Sequence, residues 1–164
     1  MHDLDGPCFY EAVPGSRPFL FDWLPVLLWM LVIFSFSTDS LSTRHTSRII
    51  GPILRWLNPD VTEKTIQQVQ TIVRKSAHLT EYGILSMLLW RSFSHRLKKN
   101  SHAWSWRQAG WVLLTVAAYA ATDEFHQSFV PSRMASPWDV LIDTVGAALG
   151  LLVLWMFGRW RKWW

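Results

Sequence analysis

The sequence predicts an all-α integral membrane protein, a four-transmembrane-helix bundle with an amphipathic interfacial helix between spans one and two. Half of its 164 residues are hydrophobic, and twelve are tryptophan, a residue enriched at membrane–water interfaces. The mean hydropathy is positive, at +0.11, which is unusual for a soluble domain. Four apolar stretches approach the roughly 20 residues that a helix needs to cross the hydrocarbon core. The length fits a single domain.

The four predicted spans differ in where their polar residues stand. The first, residues 19–37, is almost uninterrupted in its apolar character. The second, about 77–93, is polar where it begins, and the third, about 108–127, is polar where it ends. The fourth, about 138–157, starts with two aspartates and then becomes apolar. The polar ends must therefore lie at an interface or face a protein interior.

The connection between spans one and two carries two helix signals. The stretch "SRIIGPILRWLNPD" places isoleucines and leucines at helical spacing among arginines, which predicts a short amphipathic helix on the membrane surface. After it, "DVTE" resembles a helix start with Asp60 as the cap and Glu63 three residues later. We expect that helix to run without a break into span two.

Charge predicts the division of the chain and its orientation. The predicted units are a polar N-terminus (1–18), the membrane domain (19–158) and a basic, tryptophan-rich tail (159–164). Lys and Arg are densest in the loop between spans two and three and in the tail, so both termini are predicted to be cytoplasmic. The net charge of +4 fits residues that flank spans, and no nucleic-acid partner is needed to explain it. The single cysteine, Cys8, forms no internal disulfide.

The four-span topology brings polar residues into one layer at the outer face. The start of span two, the end of span three and the start of span four all lie on that side. On span two, Lys75, His78 and Tyr82 share one helical face, and Glu81 lies three residues beyond His78. The sequence therefore predicts a shared polar pocket at this face.

Spans three and four contribute the remaining members of that layer. Asp123, His126 and Gln127 stack on one face of span three, while Glu124 points about 100° away. On span four, two carboxylates are followed by two glycines that would let another helix approach closely. These four are Asp139, Asp143, Gly146 and Gly150.

The cost of burying charge favours a site. A charged residue near the centre of a span costs about 2.5 to 3.5 kcal/mol on insertion scales. We expect the carboxylates to face one another, a wet cavity, or the cations Arg74, Lys75 and Arg133. The alternative is an ion-pair network that only ties helices together.

The polar stretches also carry a family resemblance. "RKSAHLTEYGILSMLL" followed by "DEFHQSFVPSRMASPWDVLIDTVGAALG" resembles the VanZ-like family of small bacterial membrane proteins, as does "FSFSTDS" after span one. The first block is matched by Lys75, His78, Glu81 and Tyr82. The second is matched by Asp123, Glu124, Gln127, Phe129, Pro131, Arg133, Asp139 and Gly146. One residue departs from the pattern: Asp143 stands where the family commonly has asparagine.

The resemblance implies a multi-pass protein of the bacterial plasma membrane. The named member of the family is associated with resistance to the glycopeptide antibiotic teicoplanin, and that association does not pass to every relative. Architecture is therefore better implied than activity.

The first functional hypothesis is recognition of an anionic headgroup, either of a lipid or of a cell-wall precursor. Arg74, Lys75 and Arg133 would meet phosphate, because guanidinium and ammonium groups suit phosphate oxygens. The other predicted binding residues are Tyr82, Gln127 and Asp139.

The second hypothesis is a membrane-embedded hydrolase or transferase. Its candidate catalytic residues are His78, Glu81, Asp123, Glu124 and His126. A divalent metal could be held by His78, Asp123 and His126, or the same groups could act as acid and base without one. The third hypothesis is a noncatalytic accessory subunit that packs on a larger partner through Gly146, Gly150 or the tryptophan-rich rim.

Overall fold

The computed structural model describes residues 19–37, 43–97, 104–129 and 136–163, and within them the chain forms five α-helices and no strand. The all-α prediction is therefore confirmed for this part of the chain. The predicted N-terminal unit 1–18 and the residues Cys8, Pro131 and Arg133 lie outside it. The helices are α1 (Phe19–Ser37), α2 (Thr43–Leu57), α3 (Glu63–Leu97), α4 (Trp106–Gln127) and α5 (Pro137–Trp160).

The helices follow the predicted segments closely. Helix α1 has the bounds predicted for span one, and α4 and α5 contain the segments predicted for spans three and four. The second predicted span is the later part of α3, which runs on from residue 63 as expected. The predicted cap is wrong. The backbone N–H of Thr65 donates to Thr62 Oγ1 (3.2 Å), while Asp60 belongs to the preceding turn.

The hydrogen bonds between helices define an up-and-down order for α1, α3, α4 and α5. Trp29 Nε1 of α1 donates to the backbone oxygen of Glu81 (2.9 Å), and near the start of α1 the Asp22 backbone oxygen accepts from Ser92 Oγ (2.6 Å). Helices α1 and α3 are therefore antiparallel. At the start of α4, Gln108 Nε2 donates to the backbone oxygen of Trp90 near the end of α3 (3.0 Å). Helix α3 is central and contacts each of the other four.

Helices α3 and α5 run parallel and approach closely through glycines. A Cβ atom on Gly146 would lie 2.4 Å from the backbone oxygen of Leu79, and one on Gly150 would lie 2.4 Å from that of Gly83. Real Cβ atoms essentially never come so near, so only glycine permits this contact. Both glycines are buried against α3, which removes them as the surface that the accessory-subunit hypothesis assigned to a partner protein.

Apolar side chains cover the outside of the bundle, while several polar ones are buried. Leu20, Phe21 and Leu31 on α1 and Val153 and Met156 on α5 are all more than half exposed. Two helices of the described chain, over Leu20–Ser37 and Pro137–Trp160, are long and apolar enough to cross a membrane. Only 22% and 28% of those windows are buried, unlike the core helices of a soluble protein. Helices α3 and α4 do not pass the same test, so two of the four predicted spans are supported this way.

Helix α2 has the predicted amphipathic character. It packs against α3, where Gly51 is buried close to Ile66, and Arg55 forms an ion pair with Glu63. Ile53 and Trp56 remain exposed, at 50% and 82%. An apolar surface is therefore left on a short helix at the edge of the bundle.

The close contact between α3 and α5 makes Gly150→Ala a test of the fold. We expect the variant to lose roughly 1 to 3 kcal/mol of stability, because the added methyl overlaps the backbone of α3. Gly110→Ala is the matched control: no described atom beyond the adjoining backbone of its own helix lies within 4 Å of the added Cβ. Thermal unfolding of the purified proteins in detergent compares them. Equal midpoints for the two variants would contradict the contact.

Candidate functional site

Polar side chains from four helices meet at one end of the bundle. The last residue of α1, the middle of α3, the end of α4 and the start of α5 all lie there. We refer to Asp123, Glu124, Asp139 and Asp143 as the carboxylate cluster. Three of the four are buried, and Asp139 is partly exposed. The predicted meeting of spans two, three and four at one end is therefore what the geometry shows.

Asp123 accepts hydrogen bonds on a single oxygen from three helices. Its Oδ2 accepts hydrogen bonds from Ser37 Oγ of α1 (2.7 Å) and Gln127 Nε2 of α4 (2.9 Å). It also accepts a weaker one from the Tyr82 hydroxyl of α3 (3.5 Å). The residue is 3% exposed. Its Oδ1 is also buried and has no hydrogen-bond partner among the described residues. Asp123 thus joins α1, α3 and α4 and keeps one acceptor unused.

Ser37 is a member of the site that sequence reasoning did not assign. Its hydroxyl donates to Asp123 and lies 3.4 Å from Gln127 Nε2, and the residue is 1% exposed. The signal was the stretch "FSFSTDS", which the family resemblance singled out without giving the serine a role. A serine at the very end of an apolar span needs a hydrogen-bond partner when it is buried.

Asp143 lies beside His78, across the contact between α5 and α3. The distance from His78 Nδ1 to Asp143 Oδ1 is 3.7 Å, and the side chains are 19% and 2% exposed. The His78 ring is nearly parallel to that of Tyr82, with 6.4 Å between the centroids. The residue that departs from the family pattern is therefore buried next to a histidine, within the cluster.

Cations stand at the rim of the cluster. Lys75 Nζ lies 3.6 Å from Asp139 Oδ1, and both side chains are partly exposed, at 44% and 31%. Arg74, the preceding residue, is exposed. Of the three predicted cations, Arg133 lies outside the described residues. The two described cations are therefore accessible, while most of the carboxylates are not.

The remaining candidates have separate surroundings. Glu124 Oε2 accepts from the Ser136 backbone N–H (2.9 Å), which fixes the start of α5 beside the end of α4. Glu81 is partly buried. His126 packs against Phe34 of α1, with 4.5 Å between ring centroids, and its Nδ1 has no hydrogen-bond partner among the described residues.

The suggested metal ligands do not come together. His126 faces α1, whereas His78 faces α5, and the bonded oxygen of Asp123 is occupied by hydroxyl and amide donors. In the described part of the chain, no group of three or more His, Cys, Asp or Glu side chains is placed to hold a metal ion. The donor set His78, Asp123 and His126 therefore does not fit a divalent cation in this arrangement.

The fold and the cluster together define a class: a small helical bundle with an apolar exterior and buried carboxylates at one end. The chain belongs to the VanZ/LLP1 family, whose pattern matches residues 21–158. The matched range contains the whole carboxylate cluster. It also contains all five helices, apart from the first two residues of α1 and the last two of α5. This confirms the resemblance. With the two apolar helices, it favours a membrane protein.

Comparison with curated proteins and with solved structures gives no match.

The hydrogen bonds to Asp123 predict how much stability the bundle loses when this side chain is replaced. Asp123→Leu leaves the donors of Ser37, Gln127 and Tyr82 without their acceptor, and we expect a loss of at least about 2 kcal/mol, since one unsatisfied buried donor costs about 1 to 3. Asp123→Asn keeps an oxygen for those donors and should stay within about 1 kcal/mol of the parent. Thermal unfolding in detergent compares the two. Similar losses in both variants would show that the bonds contribute little.

Proposed function

We propose that α1, α3, α4 and α5 all cross the bilayer, with both termini in the cytoplasm and α2 on the outer surface. The alternation of the four helices and the exposed apolar faces of α1 and α5 support this arrangement. Helix α3 has 35 residues and is about 52 Å long at 1.5 Å per residue, beyond the ~30 Å hydrocarbon core. Its first turns, up to about Arg74, then stand outside the membrane.

Labelling of single cysteines tests this topology. In a Cys8→Ser background, Asn58→Cys in the turn between α2 and α3 should react with a membrane-impermeant maleimide in intact cells. Lys162→Cys, beyond the end of α5, should react only after permeabilisation. Both substituted positions are exposed, so accessibility to solvent is matched. Labelling of both cysteines from the same side would exclude the four-span arrangement.

At the outer end, the carboxylate cluster and its rim bind an anionic headgroup, of a cell-envelope lipid or a cell-wall precursor. The observation that supports this best is the Lys75–Asp139 pair at the rim, next to exposed Arg74. An ammonium group has three N–H donors, and the carboxylate at 3.6 Å is beyond hydrogen-bond distance, so Lys75 retains donors for a ligand. Phosphate oxygens suit both cations.

The buried carboxylates add hydrogen-bond acceptors to the cations of this site. Asp139 holds Lys75 over the cluster, and the unused Oδ1 of Asp123 is an acceptor deeper in the same end of the bundle. A ligand with hydroxyl or amine groups next to its phosphate can therefore contact the cations at the rim with its phosphate and donate to the buried carboxylate oxygens with its hydroxyl or amine groups. Headgroups that contain sugar or amine groups have this chemistry.

Substitution of the rim lysine tests the binding. We expect Lys75→Gln to lower the affinity for a synthetic polyprenyl phosphate about tenfold, the free energy of one charge-assisted hydrogen bond. Arg74→Gln should act in the same direction. Retention of the lipid in native mass spectra provides the measurement.

Lys64→Gln is the matched control on the same helix. Lys64 is exposed, carries the same charge and precedes Lys75 by three helical turns, so its variant should lose less than about twofold. Equal effects of Lys64→Gln and Lys75→Gln would indicate diffuse attraction to a charged surface and would contradict a site at the rim.

A second candidate is a metal-independent hydrolase or transferase acting on the same ligand. The observation that favours it is His78 beside buried Asp143, because a carboxylate can orient an imidazole for proton transfer. Catalysis would be established if the parent protein turned over the polyprenyl phosphate and the His78→Gln variant did so about a hundredfold or more slowly. Binding without turnover leaves recognition as the function.

A further inference from the structure

The end of the bundle opposite the carboxylate cluster is basic. The cations that the structure describes there are Arg91, Arg107, Arg159, Arg161 and Lys162, all exposed. Among the described residues, Asp22 is the one carboxylate at this end, and it is buried. Carboxylates of the described residues therefore concentrate at the cluster end, where Arg74 and Lys75 accompany them, whereas the opposite end is predominantly cationic.

A cavity opens at this basic end, between α3 and the start of α4. It has a volume of about 470 Å3 and is lined by Phe93, Ser105, Arg107, Gln108 and Trp111. Cavities of about 300 to 1,000 Å3 with mostly apolar walls and a few polar groups are typical ligand sites. The wall here combines two aromatic rings with one cation.

Of the polar groups in the wall, Arg107 is the one that carries a charge for a ligand to contact. Gln108 is buried, and its amide already donates to the backbone oxygen of Trp90 and to Ser94 Oγ at 3.0 and 2.7 Å. Ser105 caps α4 by accepting from the Gln108 N–H, and its own O–H is a second, neutral donor for a ligand. Arg107 is exposed and has no ion pair with any described carboxylate. An anion is the ligand class that complements this wall.

The aromatic residues indicate the depth of this cavity in a bilayer. Trp104, next to the cavity, stacks on Trp90 with 3.9 Å between ring centroids, and Trp106 packs edge-on against Trp104. Tryptophans concentrate at the level of the lipid headgroups. Trp111 lies one helical turn beyond Arg107 and is 54% exposed, so it extends the cavity wall toward the hydrocarbon. A ligand with an anionic head and an apolar tail fits this gradient.

We propose that this cavity binds an anionic phospholipid from the leaflet at the basic end. The phosphate lies at the Arg107 guanidinium, and an acyl chain lies along Trp111 and Phe93. The inference requires that the bundle lies in a bilayer, and it is independent of the ligand proposed for the carboxylate cluster, which is at the other end. Arg107 then recognises the lipid through charge-assisted hydrogen bonds, and the aromatic walls recognise its chain.

The test uses the full chain in mixed micelles containing phosphatidylglycerol, with lipid retention measured by native mass spectrometry. We expect Arg107→Gln to lower retention at least about tenfold, because it removes a charge-assisted contact in a lined cavity. Arg161→Gln is the matched control, since Arg161 is exposed at the same end and does not line the cavity. Its effect should stay below about twofold. Zwitterionic phosphatidylcholine should be retained weakly by all three proteins.

Three results would overturn this proposal. Equal losses in Arg107→Gln and Arg161→Gln would mean general attraction to a basic surface, and unchanged retention in Arg107→Gln would mean that the cavity is not used. Competition by millimolar inorganic phosphate would point to a soluble anion instead of a lipid. Lys75→Gln should retain phosphatidylglycerol, and Arg107→Gln should still bind polyprenyl phosphate, so failure of this inference is distinct from failure of the proposed function.

Discussion

The backbone contact between α3 and α5 sets the geometry of the whole bundle. Gly146 and Gly150 bring α5 against the backbone of Leu79 and Gly83, and this contact fixes both the distance and the register of two parallel helices.

In two parallel helices, residue pairs that are separated by the same number of positions in the sequence lie side by side. The offset that joins Leu79 to Gly146 also joins His78 to Asp143 and Lys75 to Asp139, within a few residues. The contacts of Lys75 with Asp139 and of His78 with Asp143 therefore follow from glycine packing at deeper levels of the same two helices. Helices α1 and α4 then pack on the α3–α5 pair, and Asp123 connects them to α3 through Ser37 and Tyr82.

Much of this arrangement was predictable because apolar periodicity and span length act locally. The bounds of α1 and the continuity of α3 followed from runs of side chains that either tolerate or reject hydrocarbon. The placement of polar residues at one end followed from topology alone, since alternate helix ends must lie on the same side. Pairing was less predictable, because a helical sequence gives the face of a residue and not the identity of the neighbour across it. His126 illustrates this limit. It shares a face with Asp123 and both contact α1, yet His126 packs on the Phe34 ring and forms no metal-ligating group with the other predicted ligands among the described residues.

Sequence reasoning missed two residues, Ser37 and Thr62. Ser37 bonds a residue that is distant in the chain, and Thr62 bonds a backbone N–H group. Ser37 is separated from Asp123 by 86 residues, so its role depends on how α1 and α4 pack in parallel. The cap of α3 failed for a smaller reason: Asp60 had the right residue type, but Thr62 stands immediately before the first helical residue and provides the bond. Helices α3 and α4 are less apolar overall than α1 and α5, although α5 also contributes Asp139 and Asp143 to the carboxylate cluster. The polar residues that make them functional candidates also make them weaker as spans.

The two ends of the bundle differ in how their polar groups are satisfied, and this difference bears on function. At the basic end, the buried donors of Ser92 and Gln108 are bonded to backbone oxygens, so these groups tie helices together and are fully used. At the other end, two buried carboxylate oxygens accept no hydrogen bond among the described residues: Asp123 Oδ1, and Asp143 Oδ1, which lies 3.7 Å from His78 Nδ1. A network that served stability alone would be replaced by apolar packing at little or no cost. Buried carboxylate oxygens that accept no hydrogen bond from the protein are instead balanced by protons or by donors that arrive from outside. In the function that we propose, donor groups of the ligand supply that balance, and the accessible cations at the rim attract the anionic part of the same molecule.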